Sequence, residues 1–162
     1  MNPRLVASLA PRLIATAAVG TAVLLGTAGC SLAATQATEI QYSPSDGVNV
    51  PDSGPVQVRN ALIVANEEGD EGNFLAALIN TTDESQELVM EYGDGVSETI
   101  RLEGGETLSF GAEGEDPLAL EDFEGLPGTT LPVYFQSGDA EGVLQMVPVL
   151  DGSLPYLAPF EP

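Results

Sequence analysis

The sequence contains no histidine, lysine or tryptophan and a single cysteine, and sets four cationic side chains against 25 acidic ones in 162 residues, for a formal net charge of −21. Each absence removes a class of chemistry. Without imidazole there is no Ser/His/Asp triad, no imidazole base and no imidazole metal ligand. Without lysine there is no Schiff base and no ammonium to grip a phosphate. The four cations are Arg4, Arg12, Arg59 and Arg101; so many carboxylates around them would repel a phosphate backbone, which excludes nucleic acid as a partner. One cysteine excludes an internal disulfide framework, and the length allows one domain of ordinary size.

What is present begins with an address. Residues 1–12 carry Arg4 and Arg12 and no acid, and residues 13–28 form a 16-residue apolar stretch. This is the layout of an export signal; a membrane-spanning helix normally needs about 20 residues and a basic flank. The stretch ends in Thr27-Ala28-Gly29-Cys30-Ser31, which resembles the bacterial lipobox, with Thr27 in place of the usual Leu. Cys30 is therefore the expected lipidation site. Cleavage before it removes 29 of the 162 residues and two of the four arginines, leaving 133 residues with a side-chain charge of −23. Two or three acyl chains suffice for stable anchoring, and anionic headgroups would push so acidic a domain outward on its tether. The expected location is the extracytoplasmic face of the cell membrane, held by the lipid anchor.

The organisation that follows is a signal over 1–29, a lipid-anchored Cys30 and flexible linker over 30–55, a β-domain over 56–150 that begins as early as about residue 40, and an extended tail over 151–162. From Val56 onward, short apolar runs recur between Gly, Asn, Asp and Pro, the pattern of an all-β sandwich or barrel. The nearly continuous runs 56–66 and 74–80 fit central strands covered on both sides or bulged near Asn60. Leu88, Met90 and Tyr92 share one face of a strand, and Val96, Glu98, Ile100 and Leu102 one face of the next. Gly104-Gly105 is a hairpin signal. Leu131, Val133 and Phe135 are expected to pair with 143–150 across the turn at 137–142. Pro132 and Pro148 call for an edge or a bulge. Tyr156 and Phe160 make the tail either a lid on the sandwich or a partner-facing peptide.

Few residues offer chemistry. The acidic clusters 67–71 and 113–124 lack the ligand spacing of a calcium loop and read as solvated turns. Paired carboxylates alone do not specify a glycosidase, and there is no tryptophan platform for sugars. No G-x-S-x-G elbow is present. Asn80-Thr81-Thr82 fits a glycosylation sequon but reads as a strand end. Met90 and Met146, thioethers in principle suited to copper(I), sit in strands where packing in the core is expected. No catalytic residue, metal ligand or cofactor is assigned.

Several runs together carry a resemblance: Val58-Arg59-Asn60-Ala61-Leu62-Ile63-Val64, Leu75-Ala76-Ala77-Leu78-Ile79-Asn80-Thr81, Leu102-Glu103-Gly104-Gly105-Glu106, Leu126-Pro127-Gly128 and Val147-Pro148-Val149. In this order the chain resembles actinobacterial lipoproteins of the LpqE type, and more distantly the PCuAC-type periplasmic copper chaperones. The resemblance implies an immunoglobulin-like or cupredoxin-like antiparallel β-sandwich of about seven strands. It also implies a non-enzymatic role, in copper handling or as an accessory of the respiratory cytochrome bc-aa3 assembly. The chaperones' His and Met ligands do not carry over, since the corresponding stretches read Glu91-Tyr92-Gly93-Asp94-Gly95 and Glu115-Asp116-Pro117-Leu118-Ala119-Leu120. The expected partner is a membrane-protein complex with a basic outer surface.

Overall fold

The run from Val56 to Ala65 places apolar residues first at even and then at odd positions, a pattern that a regular strand cannot bury on one face. In the computed structural model, which describes residues 45–112 and 115–162, a β-bulge resolves the conflict. Strand β1 (Val56–Ala65) pairs antiparallel with β2 (Gly72–Asn80), and the register slips between Arg59 and Leu62. Asn60 takes φ 53°, a left-handed conformation that Asn tolerates better than most residues with a Cβ. The extra residue turns Val56, Val58, Ala61, Ile63 and Ala65 toward the main core and leaves Leu62 and Val64 on the opposite face.

Eight strands form two layers. One holds β4 (Val96–Leu102), β3 (Gln86–Tyr92), β7 (Thr130–Ser137) and β8 (Val143–Leu150), in that order. The other holds β1, β2 and β5 (Thr107–Phe110), with the short β6 (Leu118–Leu120) against the first residues of β2. Strand β8 joins the layers: it runs antiparallel to β7 from Val143 to Pro148, then parallel to β1 at Ile63↔Val149 and Val64↔Leu150. The fold is thus the expected β-sandwich, with one short parallel contact in an otherwise antiparallel arrangement.

Between the layers lie Phe74, Leu78, Leu88, Met90, Leu102, Phe135 and Val147, all essentially without solvent contact. The rings of Phe74 and Phe135 meet at 6.2 Å across the two sheets. Burying each such side chain is worth about 1.5–3 kcal/mol. The prolines sit where no ladder needs their missing donor: β3 pairs with β7 only as far as Val133, one residue short of Pro132, and Pro148 marks the point where β8 passes from β7 to β1.

Gly104-Gly105 is a corner rather than a hairpin. Strand β5 does not pair with β4 but crosses to the other layer and pairs with β2. A Cβ on Gly104 would collide with the Asp83 carbonyl oxygen, and Gly105 has φ 72°, so glycine here permits a close chain crossing. Buried Asn80 fastens the same corner. Its Nδ2 donates to the carbonyls of Glu84 at 2.7 Å and Glu103 at 2.8 Å, and its Oδ1 accepts from Thr82 N at 3.0 Å. The hairpin is β3–β4, closed at the opposite end of β4 by Gly93-Asp94-Gly95.

Candidate functional site

Cys30, the expected lipidation site, lies outside the described residues. The other residues weighed from sequence fall at three places, and the first is the acidic loops. Asn66 organises the β1–β2 turn: its Oδ1 accepts from Gly69 N at 2.8 Å, Asp70 N at 3.2 Å and Glu71 N at 3.3 Å, and its Nδ2 donates to Asp70 Oδ1 at 2.7 Å. The carboxylates of Glu67, Glu68, Asp70 and Glu71 are left in solvent, as are those of Glu115, Asp116, Glu121, Asp122 and Glu124. Among the described residues no three acidic or cysteine side chains converge to hold a metal ion. In the same region Tyr92 donates its hydroxyl to the Glu121 carbonyl at 3.1 Å. Burial, and after it the charge of Glu98, pushes the Tyr92 phenol up from its ordinary value.

The second place is the outer face of β1, β2 and β5. Leu62, Val64 and Leu75 are apolar there, and the C-terminal tail folds back over them through buried Leu157 and half-buried Phe160. A 3-10 turn at Ala158–Phe160 ends the cover, and Asn73 Nδ2 donates to the Phe160 carbonyl at 2.9 Å. Of the two alternatives for the tail, the lid is the one observed. On the other side of the cover, the segment before β1 is fastened to the bulge. Val48 bridges Ala61, Gly47 N donates to Asn60 Oδ1 at 3.0 Å, and Asn60 N donates to Asn49 Oδ1 at 3.0 Å. A Cβ on Gly47 would lie 2.6 Å from Asn60 atoms, so only glycine allows this approach. The neighbouring Asp46 then receives the Tyr156 hydroxyl at 2.7 Å. Between sheet, tail and this segment an open-mouthed cleft of about 350 Å³ remains.

The third place is the outer face of β7 and β8, which nothing among the described residues covers. The register sets Tyr134 beside Leu144 and Pro132 beside Met146, a contiguous apolar block. Leu144 is 64% and Met146 47% exposed. The 16 residues of these two strands include no charge, whereas the surround is acidic. Glu91 on β3 is the register neighbour of Tyr134, and the β7–β8 turn carries Asp139 and Glu141. The Tyr134 hydroxyl donates to the Glu141 carbonyl, fixing the ring at the rim of the block.

This arrangement corrects the expectation for the methionines. Met90 is buried, as expected, but Met146 points outward. In β8 the apolar residues occupy both parities; Val143, Val147 and Val149 face the core, so Leu144 and Met146 cannot. The two sulfurs lie on opposite faces of one sheet and cannot share a copper ion. Sequence reasoning missed the open face for the same reason, although the absence of charge across β7 and β8 was a readable signal.

The two arginines of the domain are both ion-paired, Arg59 to Asp52 at 2.5 Å and Arg101 to Glu87 at 3.4 Å. The Glu91–Gly95 stretch forms the end of β3 and its hairpin, and residues 115–120 lead into and form β6; neither presents a soft-metal ligand.

No family model and no curated protein matches the sequence. Among solved structures the chain is similar to the apo PCuAC domain from PmoF1, at 18% identity and a TM-score of 0.49 over 62% of this chain and 97% of that one. It is likewise similar to the copper-bound PCuAC domain from PmoF2, at 15% identity and a TM-score of 0.48 over 64% of this chain and 97% of that one. The chain is thus distantly similar to PCuAC domains.

Proposed function

We propose that the chain is a non-enzymatic lipoprotein, anchored through Cys30 on the outer face of the cell membrane, that docks a membrane-protein complex with a basic outer surface. The observation that carries this reading is the uncharged block of exposed Pro132, Leu144 and Met146 with half-buried Tyr134, set in an acidic surround. An apolar patch rimmed by polar groups is the usual form of a protein-binding surface. The carboxylates would steer a basic partner, and the block would hold it. In line with the LpqE-like sequence pattern, the partner proposed is the respiratory cytochrome bc-aa3 assembly.

Co-purification from gently solubilised membranes tests the reading. At low salt the intact protein brings down the complex, at high salt the yield falls, and the pair Leu144→Lys, Met146→Lys abolishes it. A wild-type protein that purifies alone at low salt overturns the reading. Anchoring is tested separately by blocking the lipoprotein signal peptidase, which should leave a larger, uncleaved species.

Copper handling is the second reading. It rests on the PCuAC-like sequence pattern and on the exposed thioether of Met146. Copper(I) titration decides it: tight stoichiometric uptake favours it, and silence dismisses it.

A further inference from the structure

We propose that the cleft beneath the tail binds a small organic cation, an amine carried on an aromatic or aliphatic body. The volume of about 350 Å³ falls at the lower end of small-molecule sites. Leu62, Leu75 and Ala77 form the floor, and Tyr156 and Phe160 of the tail stand beside it. Two of the nine Phe and Tyr residues in the chain therefore meet at one opening. Aromatic faces attract cations through their quadrupole, an attraction that strengthens where water is partly excluded.

Charge selects among occupants. Asp46 is the one acidic lining residue among those described, and no lining residue is cationic. The arginines of the domain are engaged elsewhere, with Asp52 and Glu87. An anion would face Asp46 and the net negative field of the domain, and a neutral molecule would leave the carboxylate without a counter-charge. Asp46 is also held in place. Its chain neighbour Gly47 is fastened to the bulge through Asn60 Oδ1, and its Oδ2 accepts the Tyr156 hydroxyl. Its other oxygen, Oδ1, takes no hydrogen bond among the described residues and is open to a ligand ammonium. The site lies on the outer face of the β1–β2 layer, so it is independent of docking through β7 and β8.

Phenethylamine is the probe, with phenethyl alcohol as its neutral and 3-phenylpropionate as its anionic counterpart. Each is titrated into the ¹⁵N-labelled full-length chain in maltoside micelles, and the amide shifts of Ala77, Ser109 and Gly111 are read. The amine should give saturable shifts at these amides, with roughly tenfold weaker binding of the alcohol and none of the anion. Asp46→Asn should weaken the amine about tenfold and leave the alcohol unchanged. Ala77→Phe fills the cleft from its floor and should abolish binding, with Ser109→Trp as a second filling variant should the first not fold. Non-saturating shifts spread over the acidic surface, equal affinity for the three probes, or binding that survives in a folded filled variant would overturn the proposal.

Discussion

The two outer faces of the sandwich are both partly apolar, and among the described residues only one is covered by the chain itself. Over β1 and β2, Leu62, Val64 and Leu75 lie under Leu157 and Phe160 of the tail. Over β7 and β8, Leu144 and Met146 stand in solvent. The tail is short and reaches one face alone. Apolar residues on the covered face therefore contribute to stability, whereas those on the open face contribute little to folding and are left for an interaction from outside.

This contrast can be broken by mutation. The largest effect is expected for Leu157→Ala, which removes the buried anchor of the tail: a loss of about 3 kcal/mol in urea unfolding, as for other buried leucines. A loss below about 1 kcal/mol would mean that the tail is not a structural cover. Next comes the bulge that creates the two faces of β1. Asn60→Ala gives up the hydrogen bond from Gly47 and strains a left-handed backbone, and should cost about 1–2 kcal/mol. Asn60→Gly relieves the backbone strain and should cost clearly less. On the open face, Leu144→Ala and Met146→Ala should each stay within about 0.5 kcal/mol of wild type. A loss comparable to that of Leu157→Ala would erase the distinction between the faces.

The smallest effect concerns pH. The Tyr156 phenol is held above its ordinary value of 10.0, first by its hydrogen bond to Asp46, then by desolvation and by the Asp46 charge. A group whose pKa is raised by folding stabilises the fold below its unfolded value, and that contribution is lost as pH rises through the folded value. The tail should therefore loosen locally only above about pH 10, seen as tyrosine ring shifts in an alkaline NMR titration. Asp46→Asn should move the Tyr156 transition to lower pH.

Much of the fold could be read from local pattern. The nearly continuous apolar run through Asn60 read as a strand covered on both sides or bulged there, and β1 is both; alternation marked β3 and β4, and the turn at 137–142 joined β7 to β8 as expected. The pairing of β5 was not legible, because Gly104-Gly105 specifies a tight reversal but not which strand lies beyond it. Leu108 and Phe110 would suit either layer, and the choice is made by tertiary packing and by Asn80. The open face was hidden by a β8 that is apolar on both sides. The cleft was illegible for a different reason: its walls come from residues near 46, 60, 75, 110 and 156, which only the fold assembles.

Strand β8 gives the molecule a property that neither layer has alone. Its first six residues are hydrogen-bonded partners of β7 and its last two are partners of β1. Releasing either layer requires breaking the strand that holds the other, so melting is cooperative across the whole sandwich. Probes in the two layers, such as the Tyr92 ring and the Phe74 ring, should report a single shared transition. An amide in the second half of β8 should exchange with solvent only when the entire domain opens.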